Sequence, residues 1–201
     1  MPATDPHRLP RSVVPDRYDL TLRPDLDDAT FTGTVAVHVE VVEPTATVTL
    51  NAADLEVEQA LVVVGDHRRD ARIEPDAGLE RLHLHLDADL EPGAAVVELA
   101  FRGVLNDQLK GFYRSTFTDE KGDERVLATT QFEATDARRA FPCWDEPDLK
   151  ATFAITLDVP GDLLAVSNAR EVARQDLDDG WVRIHFAETM VMSTYLVAFV
   201  V

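Results

Sequence analysis

The stretch Val35-Ala36-Val37-His38-Val39-Glu40-Val41 places an apolar residue at every second position. Successive side chains of a β-strand point to opposite faces, so this period predicts a strand with one buried face and one exposed face. Residues 18–22, 48–50, 82–86 and 182–186 repeat the pattern. Its recurrence along the chain predicts an all-β fold.

Other short runs are rich in β-branched and aromatic residues and are separated by turn-forming pieces such as Pro160-Gly161-Asp162. Residues 136–144 are predicted to contain one short helical turn, because alanine and arginine favour a helix there and Pro142 ends it. We predict a β-sandwich of long, twisted strands around this single turn. The further strands are predicted at residues 95–101, 112–117, 125–130, 151–157, 163–166 and 195–201.

Length and charge limit the possible functions. The chain has 201 residues, of which 45% are apolar, and this is enough to bury the core of a single domain spanning residues 1–201. Its 37 acidic residues outnumber 19 basic ones, for a formal net charge of -18. Such a surface repels phosphate backbones and anionic lipid head groups, so we expect neither nucleic acid nor membranes as partners.

The cysteine content and the amino-terminal residues bear on where the protein is located. Cys143 is the single cysteine, which excludes an internal disulfide, and residues 1–7 lack the pattern of a secretory signal. We therefore expect a cytoplasmic protein.

The carboxyl-terminal residues bear on the domain organisation. Residues 195–201 would form an exposed apolar strand that favours aggregation, so we also expect that the chain was cut at a domain boundary.

Motifs for catalysis and metal binding are missing from the sequence. His7, His38 and His67 stand alone, and no H-E-x-x-H pair occurs. His83 and His85 share a strand face, where the pattern favours a solvated surface over a two-histidine metal clip. Nucleophile elbows and phosphate-binding loops are also missing. We predict no catalytic residue, no metal site and no cofactor in this chain.

Gln131 and Glu133 are the candidate binding residues. If the preceding strand extends through them, both project from one face at its end, and an amide oxygen and a carboxylate can converge on one cation. That combination suits a primary ammonium ion. The alternative is that Glu133 caps the helical turn or pairs with Arg138 or Arg139, and spacing alone favours this alternative.

Two other features of this segment are predicted to be structural. Cys143 lies between Pro142 and Trp144 without a nearby histidine, which favours a buried, inert thiol. The pair Asp145-Glu146 is expected to be satisfied by one of the two arginines or by backbone donors.

The same segment resembles a signature of the M1 family of zinc aminopeptidases, of the type of puromycin-sensitive aminopeptidase and bacterial aminopeptidase N. The resemblance rests on residues 131–147, which read QFEATDARRAFPCWDEP, and runs in order from about residue 9 to the end. The other matching pieces are Leu9-Pro10, Val14-Pro15-Asp16-Arg17-Tyr18-Asp19-Leu20, Phe31-Thr32-Gly33, Leu105-Asn106, Lys110-Gly111-Phe112-Tyr113-Arg114-Ser115, Ala165-Val166-Ser167-Asn168 and residues 192–199.

The resemblance implies a saddle-shaped β-sandwich, made mostly of antiparallel strands, that caps a thermolysin-like catalytic domain. It implies that Gln131 and Glu133 help to form the pocket for the first substrate residue. Glu133 would bind the free α-amine, together with an acid from a G-x-M-E-N loop of the catalytic domain, and Phe132 would point into the core. The resemblance thus reverses the preference that spacing alone gave for Glu133.

The chain departs from the family at the catalytic centre. It lacks H-E-x-x-H, the downstream zinc-ligand glutamate and the G-x-M-E-N loop. We therefore predict a substrate-recognition domain that is inactive alone. Its partners would be peptides with a free amino terminus and the catalytic domain of the same parent chain, which would hold the zinc. The alternatives are a non-catalytic M1-like scaffold that binds partners and, less favoured by the match at Gln131 and Glu133, a related epoxide hydrolase with aminopeptidase activity.

Overall fold

A computed structural model describes residues 8–201, so the opening residues and His7 lie outside the described residues. Three short 3₁₀ turns, Ala137–Arg139, Asp178–Gly180 and Thr194–Leu196, interrupt a chain otherwise built from strands and loops. The strands are β1 (Val13–Asp25), β2 (Thr30–Val41), β3 (Thr45–Asn51), β4 (Leu55–Val64), β5 (His67–Asp70), β6 (Arg72–Asp76), β7 (Arg81–Leu90), β8 (Gly93–Val104), β9 (Gly111–Thr118), β10 (Glu124–Gln131), β11 (Thr152–Pro160), β12 (Val166–Ser167), β13 (Glu171–Asp176), β14 (Trp181–Phe186) and β15 (Phe199–Val200).

The strands form three sheets. The largest has eight strands in the order β13-β14-β11-β1-β2-β8-β4-β5, in which only β1 and β11 run parallel. A four-stranded sheet has the order β12-β15-β10-β9, and a three-stranded sheet has the order β3-β7-β6. The prediction of an all-β sandwich of mostly antiparallel strands is confirmed.

The alternating sequence pattern becomes the inner face of the large sheet. In β1, Tyr18, Leu20 and Leu22 are buried, whereas Asp19 and Thr21 between them are partly exposed. Residues from all three sheets contribute to one hydrophobic core. The ring of Phe31 on β2 packs edge-on against Phe112 on β9 at 5.2 Å between centroids, which joins the large sheet to the four-stranded one. This contact places the end of β10 beside the core.

Two predicted strands are wrong in their extent. Residues 195–201 contain only the short strand Phe199–Val200, because the preceding residues form the 3₁₀ turn Thr194–Leu196. That turn is closed when the backbone N–H of Leu196 donates to Ser193 and that of Val197 donates to Thr194, both at 3.0 Å. Of residues 163–166 only Val166 belongs to a strand, β12, because the chain turns at Gly161 and Asp162, where the Leu163 N–H donates back to the Pro160 carbonyl at 3.0 Å.

The predicted helical turn is shorter than residues 136–144. Only Ala137–Arg139 is helical, and Cys143 instead forms an antiparallel bridge to Asn51, with backbone hydrogen bonds of 2.7 and 3.0 Å. No helix among the described residues has the length and apolar character needed to cross a bilayer. The sequence pattern did not indicate β4, β5, β6 or β13, and every residue of β13 is exposed.

Candidate functional site

The β9–β10 hairpin carries Gln131 at its base. Gln131 is the last residue of β10 and lies opposite Gly111, the first residue of β9. Gly111 has no side chain, so this residue cannot itself cover the Gln131 amide. The amide group is exposed and makes no hydrogen bond within residues 8–201.

Glu133 follows after one buried residue. Phe132 is 2% exposed, and its ring lies 6.1 Å from that of Phe141 and 6.0 Å from that of Phe199 between centroids. This confirms that Phe132 points into the core. Glu133 itself is exposed, and in the described part of the chain its carboxylate has neither a hydrogen-bond donor nor an ion-pair partner. The 3₁₀ turn begins after Asp136 without a side-chain cap.

Arg138 is occupied by acids other than Glu133. Its Nε lies 2.9 Å from Asp145 Oδ2, and its Nη1 lies 3.2 Å from Glu80 Oε2. The Asp145 side chain is only 2% exposed, and its backbone N–H donates to Asn51 Oδ1 at 3.2 Å. Burial raises the pKa of Asp145, although hydrogen bonds from Arg138 pull that pKa down. Arg138 therefore serves to hold a buried acid.

Arg139 contacts three carboxylates. Its Nε lies 2.8 Å from Asp136 Oδ1, while Nη1 pairs with Asp54 and Nη2 with Glu80. Local spacing did not indicate Asp54 or Glu80, which lie far away along the chain. The arginine pairing of Glu133 that the sequence left open is therefore not found in the structure.

Glu146 joins the segment to the beginning of the described chain. Its carboxylate accepts the Leu9 backbone N–H and lies 3.1 Å from Arg8 Nε and 2.6 Å from Arg11 Nη2. The expectation that Asp145 and Glu146 are structural carboxylates agrees with these contacts. For Glu146, however, the arginines come from the amino-terminal segment rather than from the helical turn.

Cys143 and Trp144 belong to the core. Both are fully buried, and burial raises the pKa of the Cys143 thiol well above its usual value. A thiol in this state is a poor nucleophile, because the reactive form is the thiolate. The Trp144 backbone N–H donates to the Tyr18 hydroxyl at 3.0 Å, and the Thr194 hydroxyl donates to the Trp144 carbonyl at 3.1 Å.

The two histidines of β7 are held by threonines. His83 Nδ1 lies 3.0 Å from Thr49 Oγ1, and His85 Nδ1 lies 3.1 Å from Thr47 Oγ1. The rings are 6.3 Å apart between centroids. Within residues 8–201, no three His, Cys, Asp or Glu side chains are grouped so that they could hold a metal ion.

The acidic residues of the segment 131–147 therefore differ in whether they have a cationic partner. Asp136, Asp145 and Glu146 each have a cationic partner, whereas the Glu133 carboxylate has none in the described chain. An ionised carboxylate is a pure acceptor, and a cation with several N–H donors is its natural ligand. The free Gln131 amide lies two residues earlier at the end of β10, whereas Glu133 lies in the turn beyond it, so the strand does not extend through both residues as expected from the sequence.

The fold and this site define an all-β domain whose described part carries an unpaired acid just after the base of a hairpin. The chain belongs to the family described as the Peptidase M1 N-terminal domain, which matches residues 14–196. The resemblance inferred from the sequence is confirmed.

Several curated relatives of this chain are named as aminopeptidases. The chain is 48% identical over 199 residues to "Aminopeptidase M1" of Arabidopsis thaliana, and 48% identical over 195 residues to "Aminopeptidase M1-C" of Oryza sativa subsp. japonica. It is 38% identical over 197 residues to "Puromycin-sensitive aminopeptidase" of Caenorhabditis elegans. Each match covers 96% of this chain but only 21–22% of the relative, so the chain spans about a fifth of the length of these relatives.

Proposed function

We propose that this chain is the substrate-recognition domain of a zinc-dependent aminopeptidase that removes single residues from peptide amino termini. Glu133 would bind the α-ammonium group of the substrate, and Gln131 would contribute to the pocket for its first residue. The observation that carries the proposal is the free Glu133 carboxylate in a segment whose neighbouring acids are all paired. Membership of the M1 family supports it.

The physical basis is the cost of an unpaired charge. When a second domain covers Glu133, the carboxylate loses water and needs a cation to replace it. A free peptide amine supplies that cation with three N–H donors, whereas a blocked or internal peptide segment leaves the acid unpaired. Binding the amine also fixes its distance from the carbonyl that is cleaved. The site would therefore select for removal of the first residue only.

The reaction itself would take place on the catalytic domain of the same parent chain. Zinc bound there would activate a water molecule and polarise the scissile carbonyl, and the present chain would hold the amine in register with that centre. Alone, the 201 residues would be inactive. We propose peptides as the substrates and the cytoplasm as the location. Neither nucleic acid nor a membrane is proposed as a partner.

A non-catalytic M1-like scaffold is the alternative. Such a protein has no use for a free acid and amide at this position, so the state of Gln131 and Glu133 favours the peptidase. The codons that follow Val201 in the parent gene separate the two functions: an intact H-E-x-x-H supports the peptidase, and a degenerate one supports the scaffold.

The decisive variant is Glu133→Gln in the full-length parent, because it keeps the shape and removes the charge. The variant should lose about 2–5 kcal/mol of charge-assisted stabilisation of the bound amine. We therefore expect kcat/KM for free-amine substrates to fall roughly thirtyfold to several thousandfold. Glu120→Gln is the matched control, since Glu120 is exposed and unpaired in the described chain at the tip of the same hairpin. Equal turnover by Glu133→Gln and the wild type would remove Glu133 from the pocket.

A further inference from the structure

The helical turn after Glu133 packs directly on the strand that pairs with Gln131. Gly111, opposite Gln131, has a φ of +68°, and a Cβ built on it would lie 2.7 Å from Arg139 Cβ and 3.5 Å from the Asp136 carbonyl oxygen. Only glycine allows this approach at no steric cost. The contact fixes the distance between the turn and the base of the hairpin.

The carboxylates around Arg139 come from different parts of the chain. Asp136 begins the turn itself, Asp54 directly precedes β4, and Glu80 directly precedes β7. The Arg139 side chain is 15% exposed, so little water competes for its N–H groups. A planar guanidinium can satisfy several acids at fixed angles, which a lysine ammonium on a flexible stem does less well. The turn is thereby attached to the neighbouring loops.

Glu133 lies in a short loop with both ends fixed. On one side, Phe132 is anchored in the aromatic core and its carbonyl accepts the Asp136 backbone N–H at 2.8 Å. On the other side, Asp136 is bound by Arg139. The side chains of the loop face solvent, so the position of the Glu133 carboxylate depends on these two anchors.

We propose that Arg139 is a positioning residue that sets where the Glu133 carboxylate stands relative to Gln131. The inference rests on the proposed function, since it assumes that Glu133 binds the substrate amine. Misplacement of a binding group by about 1 Å can cost on the order of a hundredfold in rate. Loosening the Arg139 contacts should therefore weaken amine recognition specifically.

The test uses the full-length parent and two inhibitors that share a zinc-binding group, leucine hydroxamate and its des-amino analogue. The ratio of their inhibition constants measures amine recognition alone. In Arg139→Lys we expect the preference for leucine hydroxamate to fall about tenfold or more, in line with a displaced carboxylate, with the des-amino constant unchanged. Arg183→Lys is the matched control, because Arg183 also binds a largely buried acid, Asp158, at 2.7 Å.

Double variants separate the inference from the proposed function. If Glu133→Gln abolishes the preference and Arg139→Lys then adds no further change, Arg139 acts through Glu133. If Glu133→Gln leaves the preference intact, the proposed function itself is wrong. The positioning role is overturned if Glu133→Gln abolishes the preference for leucine hydroxamate but Arg139→Lys leaves that preference intact. It is also overturned if Arg139→Lys weakens binding of both inhibitors equally, because Arg139 is then only structural. Asp136→Asn is the milder second variant should Arg139→Lys fail to fold, and it must shift the preference in the same direction.

Discussion

At the scale of single residues, Tyr18 shows how a buried polar atom fixes the candidate segment. The ring stacks on Phe153 at 4.8 Å between centroids, and the hydroxyl accepts the backbone N–H of Trp144. Complete burial raises the pKa of Tyr18 well above its usual value, so the hydroxyl keeps its proton. A strand residue near the beginning of the chain thus satisfies a buried donor in the segment that carries Glu133.

The variant Tyr18→Phe measures this contact. It leaves the Trp144 N–H buried without an acceptor, and we expect the free energy of unfolding to fall by about 1–3 kcal/mol. Urea unfolding followed by fluorescence provides the measurement. Tyr195→Phe is the control, because in the described chain the Tyr195 hydroxyl has no hydrogen-bond partner. Equal stability of the two variants would mean that the Tyr18 hydroxyl contributes nothing to folding.

At the scale of elements, β2 and β8 are fitted together by two reciprocal pairs of glycine and phenylalanine. Gly33 lies opposite Phe101, and Phe31 lies opposite Gly103. A Cβ on Gly33 would lie 2.6 Å from Phe101 Cζ, and one on Gly103 would lie 2.4 Å from Phe31 Cζ. Each ring therefore covers the bare backbone of the facing strand. These close contacts fix the register of the two central strands.

Gly103→Ala tests the fit of this pair. The new methyl group must displace the Phe31 ring, and overpacking of this kind typically costs about 1–3 kcal/mol. Thermal unfolding should show the loss. The control is Gly78→Ala, where the nearest atom to an added Cβ is Asp76 Oδ1 at 3.4 Å and little change is expected. A Gly103→Ala variant as stable as the Gly78→Ala variant would show that the ring moves aside freely.

At the scale of the whole molecule, the net charge of -18 opposes folding through self-repulsion. Many of the ion pairs are exposed, as between Arg72 and Glu74, and such pairs contribute little. The excess of acids over bases is therefore the larger long-range effect. Compact folding brings these acids together, whereas the unfolded chain spreads them apart.

Salt should therefore stabilise the chain. Raising NaCl from about 0.01 M to about 1 M shortens the screening length from about 30 Å to about 3 Å, and we expect Tm to rise. Each kcal/mol of relieved repulsion corresponds to roughly 2–4 °C for a domain of this size. Calorimetry at fixed pH gives the readout. A Tm that falls with salt would show that the ion pairs dominate.

A charge variant provides the control for the salt experiment. Asp27 and Asp28 are exposed, and in the described chain their carboxylates have no partner. The double variant Asp27→Asn and Asp28→Asn should be more stable than the unsubstituted 201-residue chain at low salt. The difference should vanish at high salt, because screening then removes the repulsion in both proteins.

The sequence by itself determined the fold class and indicated the candidate site residues. Alternation in residues such as Val35–Val41 fixes which side chains face the core, because the period of a strand is a local property. The motif at Gln131 and Glu133 indicated the family, and the family match bears this out. Boundaries were less predictable: propensity did not separate the 3₁₀ turn Thr194–Leu196 from the strand that follows it.

Only the tertiary structure decided which groups meet. Arg139 had acidic neighbours in sequence, yet two of its partners, Asp54 and Glu80, come from distant loops. The parallel pairing of β1 with β11 likewise joins strands that lie far apart along the chain. Period and propensity are local, whereas the choice of partner depends on how separate strands bury their faces together. For that reason the free state of the Glu133 carboxylate emerged only from the folded chain.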